Sequence, residues 1–290
     1  MKKIKILISI YNDWQSAFKL LENINSIVYN LGHEFSVIII NDASNESRPE
    51  FSLNLDNIRL IKVINMKKNK GHARCNASGL KYIVENEEFD YVIPMDGDGE
   101  DRPEEIKEFV DNLNYSAGLP IVGERTKRSE GLFFKLCYIA HKIITLVFTG
   151  QSIKFGNYTL LPKSIVEKMV KEQATWSSFS GSLSKVAKNR ATILSQRGNR
   201  YFGPSKMSFK NLIKHSLSII SVFKKNVLIR SILFLLVYMF LIHQNISFIM
   251  LIPAMLVLAL IFSVFVVSRR ENLDELNNSL ENINNIENLK

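Results

Sequence analysis

"YVIPMDGDGEDRPEE", residues 91–105, is the stretch on which the reading of this chain turns. An apolar run stops abruptly, and Asp96, Asp98, Glu100 and Asp101 follow within six positions. Carboxylates at that density repel one another, so an ordinary turn would not select them. Asp96-Gly97-Asp98 sets two of them on a backbone that glycine lets bend sharply. Hard divalent cations such as Mg2+ or Mn2+ take oxygen ligands, and Mg2+ is commonly held by one or two carboxylates with substrate phosphates and water completing its shell. A lone Asp-x-Asp is common by chance. At the end of a buried strand, ahead of an acidic turn and a Pro-led helix, it predicts a cation site.

The flanking sequence predicts where that strand sits. "KIKILISI" (3–10), "EFSVIIIND" (34–42), "IRLIKVIN" (58–65), "YVIPMD" (91–96) and "PIVGE" (120–124) read as strands. Helical spacing separates them at 13–32 and 71–88, and "RPEEIKEFVDNL" carries Pro103 just inside a first turn. The alternation predicts an α/β fold with a mostly parallel sheet covered on both faces. Ligands of such sheets bind beyond the carboxyl ends of the strands. Tyr11, Asn12 and Asp13 follow the first strand, Asn41 and Asp42 close the second, and the acidic turn closes the fourth. A helix cap or a turn would explain Asp13 or Asp42 singly; all three sets at one edge predict a polar ligand. No glycine-rich dinucleotide fingerprint, P-loop or Gly-x-Ser-x-Gly elbow occurs, and His33, His72, His141, His215 and His243 lack metal-ligand spacing.

The chain has 290 residues, a formal charge of +9 and 46% apolar residues, with the apolar content unevenly spread. "VLIRSILFLLVYMFLI" (227–242) and "FIMLIPAMLVLALIFSVFVV" (248–267) are broken only by "HQNIS". A membrane span needs about 20 apolar residues, or about 17 with snorkelling flanks. The second run meets that length, and the first meets it if Arg230 snorkels to the near interface. Lys224, Lys225, Arg230, Arg269 and Arg270 flank the pair while the intervening loop carries no Lys or Arg, so both ends are expected in the cytoplasm. The opening residues turn polar too early to predict a signal peptide. Cys75 and Cys137 form no metal or disulfide pattern, as expected of a reducing compartment.

These patterns divide the chain into a cytoplasmic domain (1–205), an interfacial amphipathic segment (206–225), two transmembrane helices (226–268) and a cytoplasmic tail (269–290). Localisation at the inner (cytoplasmic) membrane as a multi-pass protein is expected. Residues 131–150 have the same amphipathic character as 206–225 and read as a second interfacial helix or as core. The last twenty residues hold five acids and one lysine, a net of −4 that leaves +13 on the remainder. Such basic excess suits a lipid bilayer or phosphate-bearing ligands, and no nucleic-acid motif accompanies it. Leu or Ile recurs every three or four positions in that Asn-rich tail, which admits a self-associating helix, hence a homo-oligomer, or a frayed end.

"ISIYND", "IIINDASN", "NKGHARCNASGL", "MDGDGEDRPEE", "GERTKR" and "NRYFGPSKMS", in that order, resemble the family 2 glycosyltransferases of the GT-A fold. The branch that contains dolichol-phosphate mannose synthase and bacterial polyprenyl-phosphate glycosyltransferases is the most similar. The resemblance covers roughly residues 4 to 210 and implies a nucleotide-sugar donor, a polyprenyl phosphate acceptor and Mg2+ or Mn2+. It implies that Tyr11, Asp13 and Asp42 hold the nucleoside and that Asn69, Gly71 and Arg74 line its pocket. Asp96 would contact the sugar nucleotide and, with Asp98, the metal on its diphosphate. Arg125 and Arg128 match an Arg-x-x-Arg element near the phosphates; Arg200, Ser205 and Lys206 match the element that binds acceptor and phosphate, Lys206 also serving catalysis. Relatives commonly carry Glu at position 13 and Asp at position 41, and an acid and an Arg where Asn157 and Thr159 stand.

A lipid monophosphate is already an anion near neutral pH and needs no general base, so the implied reaction is direct displacement with inversion. A glycan or glycolipid hydroxyl would need a base, for which Glu100 and Asp101 are candidates beside their reading as supports of the metal turn. A catalytically silent, membrane-bound scaffold is the remaining alternative, favoured by Asn157 and Thr159 and opposed by the retained Asp-x-Asp.

Overall fold

The computed structural model describes residues 1–127, 132–204 and 208–290. β1 (Lys3–Ile10), β2 (Glu34–Asn41), β3 (Leu60–Met66) and β4 (Tyr91–Asp96) run parallel, connected by α1 (Trp14–Val28) and α2 (His72–Asn86). α3 (Glu105–Asp111) leads to β5 (Ile121–Lys127), and α4 (Leu132–Thr149) leads to β6 (Phe155–Pro162). β6 lies antiparallel to both β4 and β5. α5 (Lys163–Met169) and α6 (Phe179–Val186) precede β7 (Ala191–Gln196), which pairs in parallel with β5. The strand order is β7-β5-β6-β4-β1-β2-β3, with one further strand, β8 (Ile283–Asn288), beyond β3.

Both faces of the central strands are covered, which is why β1 and β2 are almost continuously apolar rather than alternating. Ile4, Ile6 and Ile8 bury with Leu20, Leu21 and Ile24 of α1. Leu7, Ile38 and Ile40 bury with Leu80 and Ile83 of α2 on the opposite face. Register brings the polar ends level: Ser9 lies opposite Asp96, Ile10 opposite Asn41, and Asn41 opposite Asn65.

α7 (Phe209–Ser221) leads into α8 (Lys224–Ile242) and α9 (Phe248–Ser268), both long and apolar enough to cross a membrane. Exposed Ile139, Ile143, Leu146 and Val147 make an outward apolar stripe on α4. Arg230 does not stand free to snorkel: its guanidinium donates to the Val147 carbonyl (3.0 Å), while Asn226 donates to the Thr149 carbonyl (3.0 Å). Two side chains of α8 thereby satisfy carbonyls that the end of α4 leaves open. At the other end of the pair, Lys224 bonds the buried Glu271 (3.2 Å) and ties the start of α8 to the end of α9.

The final twenty residues are neither a self-associating helix nor a frayed end. After α10 (Leu273–Asn277) the chain turns back over α2, and β8 pairs antiparallel with β3. Fully buried Leu276 packs with Ala77 and Trp176. The Trp176 indole donates to Glu275 (2.7 Å). Replacing Leu276 with Ala is expected to cost about 2–5 kcal/mol, as at a core leucine. Denaturant unfolding of the purified full chain measures it, and an unchanged midpoint would mean that the tail lies off the domain.

Candidate active site

The acidic turn after β4 is held by its own acids and by cations from distant segments. Asp101 is buried and accepts the Asp96 backbone N–H (2.9 Å), and Asp98 accepts that of Glu100 (3.0 Å). Arg125 at the end of β5 lies 3.4 Å from Asp101. Arg197 pairs with Glu100 and Arg200 with Asp98, so the loop after β7 lies across the turn. Backbone bonds from Gly198 to Glu100 (2.8 Å) and from Tyr201 to Asp98 (2.9 Å) fasten it further. Gly99 takes a φ of +87°, and a Cβ there would lie 2.5 Å from the Tyr201 ring, so both backbone and space demand glycine.

Arg200 also reaches Asp13 (2.5 Å), joining the first strand end to the fourth. Asp42, at the second strand end, accepts the N–H groups of Lys70 (2.9 Å) and Gly71 (2.8 Å). It therefore shapes the Asn69–Gly71 turn into α2, where Gly71 has a φ of +89° and Asn69 is exposed. Tyr11 is exposed beside it at the mouth. Tyr11, Asp13, Asp42, Asn69, Gly71, Asp96, Asp98, Arg125 and Arg200 thus lie along one rim, at the carboxyl ends of β1 to β5 and in the loop after β7. Arg74 is engaged elsewhere: its guanidinium lies over Trp176 (5.4 Å) and 3.7 Å from Glu275 of the tail. Arg128, Ser205 and Lys206 lie outside the described residues.

His72, Asn157 and Arg197 belong to this site, and spacing alone did not select them. His72 opens α2, with Nδ1 3.0 Å from Ser9 Oγ and Nε2 3.3 Å from Asp96 and 2.5 Å from the Asn157 amide. Its position directly after Gly71 in "NKGHAR" was the available signal, since a helix start facing an acidic strand end is a place for a polar contact. Asn157 comes from β6, whose strand runs opposite to β4 and therefore begins at the rim.

The charges are unequal in their surroundings. Burial works against ionised Asp96, yet His72, Arg125 and Asn157 together outweigh it and hold the carboxyl below the usual range. Burial, and then the charge of Asp96, push Asp98 up to about 6 and Asp101 up to about 7. Burial also raises Asp42 against its two N–H bonds. The cluster is short of positive charge, and the Arg200 guanidinium sits as an internal cation between Asp13 and Asp98. Two oxygen-donor carboxylates on one tight turn, with a side-chain cation already drawn to them, fit a hard divalent ion better than a soft one. No group of three or more His, Cys, Asp or Glu side chains among the described residues makes a complete cage. The remaining ligands would come from a phosphate and water.

α4 joins the carboxyl end of β5 to the start of β6, and α7 follows the Arg200 loop in the chain and touches α4. His215 of α7 keeps an exposed edge, while the protein packed around it and the charges of His72 and of His141 on α4 lower its pKa. Asp96 and Arg125 lie within the same electrostatic reach.

Residues 5–164 match the model of glycosyl transferase family 2. The undecaprenyl-phosphate 4-deoxy-4-formamido-L-arabinose transferase of Salmonella paratyphi B is 28% identical over 225 residues, which are 73% of this chain and 65% of that protein. Its counterpart in Salmonella newport matches to the same extent. The chain therefore spans just under two thirds of the length of these curated relatives. The mannosyltransferase PcManGT from Pyrobaculum calidifontis, solved with GDP-Man and Mn2+, has a TM-score of 0.53 at 12% identity, over 97% of this chain and 75% of that one. Glucosyl-3-phosphoglycerate synthase from Mycobacterium tuberculosis, solved with Mn2+, UDP-Glc and phosphoglyceric acid, has a TM-score of 0.52 at 10% identity, over 78% and 80%. Identities that low speak to the fold alone, and the fold is the GT-A-like α/β arrangement. With more than half of its length matched, acidic turn included, the chain belongs to glycosyl transferase family 2.

Proposed function

We propose that this protein is a membrane-anchored inverting glycosyltransferase that moves a sugar from a nucleoside-diphospho-sugar to the phosphate of a polyprenyl phosphate. The observation that carries the reading is one juxtaposition: α4, with its outward apolar stripe, joins the rim ends of β5 and β6 and touches α7, which packs on a helix of membrane-spanning length. A donor diphosphate and an amphiphilic acceptor would meet there. The Salmonella relatives, undecaprenyl-phosphate 4-deoxy-4-formamido-L-arabinose transferases by name, favour the same acceptor class.

Asp42, Asp13, Tyr11 and the Asn69–Gly71 turn would hold the nucleoside at the ends of β1 and β2. Asp98 and Asp96 would hold Mg2+ or Mn2+, which supplies positive charge to the leaving diphosphate when bound. Arg125 would stabilise charge that develops on the phosphates, and Arg128, Arg200, Ser205 and Lys206 would serve the same phosphates and the acceptor. An acceptor phosphate oxygen attacks the anomeric carbon as the carbon–oxygen bond to the diphosphate breaks, and the bonding pair leaves with the nucleoside diphosphate. No proton has to be removed. A hydroxyl acceptor would call on Glu100 or Asp101, and both are already committed, to Arg197 and to Arg125 with the Asp96 N–H. α8 and α9 would cross the inner membrane with both chain ends in the cytoplasm, because positive residues flank the pair and are absent from its loop.

Asp98→Asn is expected to lower kcat at least about 100-fold while Asp13 keeps the Arg200 loop docked. EDTA should abolish wild-type turnover and Mn2+ should restore it; full activity in EDTA would remove the metal from the reading. Extracted polyprenyl phosphate should acquire radiolabelled sugar from a nucleotide donor. Label only on longer glycans would point to a hydroxyl acceptor, and no label with any donor would point to the silent scaffold.

The raised carboxyls also set a pH dependence. Asp98 and Asp101 bind protons more tightly in the folded state than in the unfolded chain, so their contribution to stability is present below about pH 4 and is lost as pH rises through about 7. Asp96, held low, stays ionised across this window. The loss should be on the order of a few kcal/mol, reduced in Asp101→Asn and reversed by Mn2+. Melting temperatures across that range, with and without the cation, check the sign.

A further inference from the structure

The C-terminal strand reaches the rim from behind. Glu287 of β8 accepts from the Asn65 amide (2.7 Å) and from Arg48 (2.7 Å). Asn65 Oδ1 in turn accepts from the Asn41 amide (2.8 Å), and Asn41 Oδ1 accepts the Ser44 backbone N–H (3.0 Å). Ser44 Oγ then accepts the Asn12 N–H (2.8 Å), and Asn12 Oδ1 accepts that of Asn45 (2.9 Å). An unbroken relay of hydrogen bonds therefore runs from the tail, across the ends of β3 and β2, to the loops after β1 and β2.

A carboxylate can only accept, whereas an amide can turn over and exchange donor for acceptor without changing shape. With Glu287 at one end, Asn65 must present NH2 to the tail and oxygen to Asn41. Asn41 must then aim its own oxygen at the Ser44 N–H. The carboxylate thus orients both amides. Arg48, bonded to Glu287 and lying over the Trp14 ring (5.7 Å), holds that carboxyl below the usual range and so keeps it ionised. The loops at the far end need such support. Asn12 and Ala43 both have positive φ, +52° and +58°, a conformation that a non-glycine residue holds only where its surroundings fix it.

We propose that β8 is part of the nucleoside pocket, with Glu287 a positioning residue that sets the polarity of the Asn65–Asn41 relay and so the shape of the two loops that grip the base and ribose. This rests on the reading of the β1 and β2 ends as the nucleotide site. Glu287→Gln keeps size but lets the relay turn over, and Glu287→Lys reverses it. Asn284, exposed on the same strand, provides the control as Asn284→Ala.

Calorimetric titration of the full chain in detergent with UDP and with GDP, each with Mn2+, reads the effect. For whichever nucleotide the wild type binds, Glu287→Gln should weaken affinity about 3- to 10-fold and Glu287→Lys more, with Asn284→Ala unchanged. The melting temperature of Glu287→Gln should stay at the wild-type value, and its donor KM should rise with kcat intact. Wild-type affinity in both Glu287 variants overturns the relay while leaving the nucleotide site in place. So does an equal loss in Asn284→Ala. A wild type that binds neither nucleotide overturns the site reading and the relay with it. If Glu287→Lys does not fold, Glu287→Gln decides alone.

Discussion

Four carboxylates beyond a buried strand form the constraint around which this molecule is arranged. At an effective dielectric of about 20, two like charges at 4 Å repel by about 4 kcal/mol, so the turn persists only where opposite charge is brought to it. The chain brings Arg125 from the end of β5 and Arg197 and Arg200 from the loop after β7, and sets the His72 ring beside Asp96. Each contact draws a different segment to the same rim. The loop after β7 contributes most, because it also donates two backbone bonds and lays Tyr201 over Gly99. In this family 2 glycosyltransferase the proposed site for a cation and a diphosphate is also the fastening point for loops.

The apolar helical half is fastened by comparable contacts. The end of α4 is capped by Asn226 and Arg230 of α8, and Lys224 and Glu271 close the base of the α8–α9 pair. Arg270, just past α9, donates to Ser218 of α7 (3.1 Å). These polar contacts fix the apolar helices against the domain, so the exposed stripe of α4 and the acidic rim keep a set relation. The chain then leaves α9, places Leu276 under Trp176 and adds β8 to the sheet edge. An uncovered β3 edge would offer unpaired backbone groups to other chains; β8 occupies them from within the same polypeptide.

Much of this was legible in the sequence, for physical reasons that are local. Strands β1, β2 and β4 announce themselves because a strand buried on both faces must be largely apolar, β3 alternates, and β5 shows as a short apolar run ahead of "GERTKR". The Asp96–Asp101 turn stands out because such charge density after such a run has no ordinary structural use. The two long apolar helices declare themselves by length, since about 20 residues are what a bilayer requires.

What only the tertiary structure decided is the pairing. "INNIEN" lacks strand composition and becomes β8 because β3 offers it a ladder of hydrogen bonds more than two hundred residues away. Arg74 lies within a motif that points to the nucleotide pocket, yet Glu275 and Trp176 of remote segments capture it. Arg230 lies in a span where snorkelling is its usual outcome, and the open carbonyls of α4 give it a better partner. Composition and period express what a residue prefers with its neighbours in sequence. Which charge neutralises Asp98, and which carboxylate orients Asn41, depends on chain segments that meet only after folding.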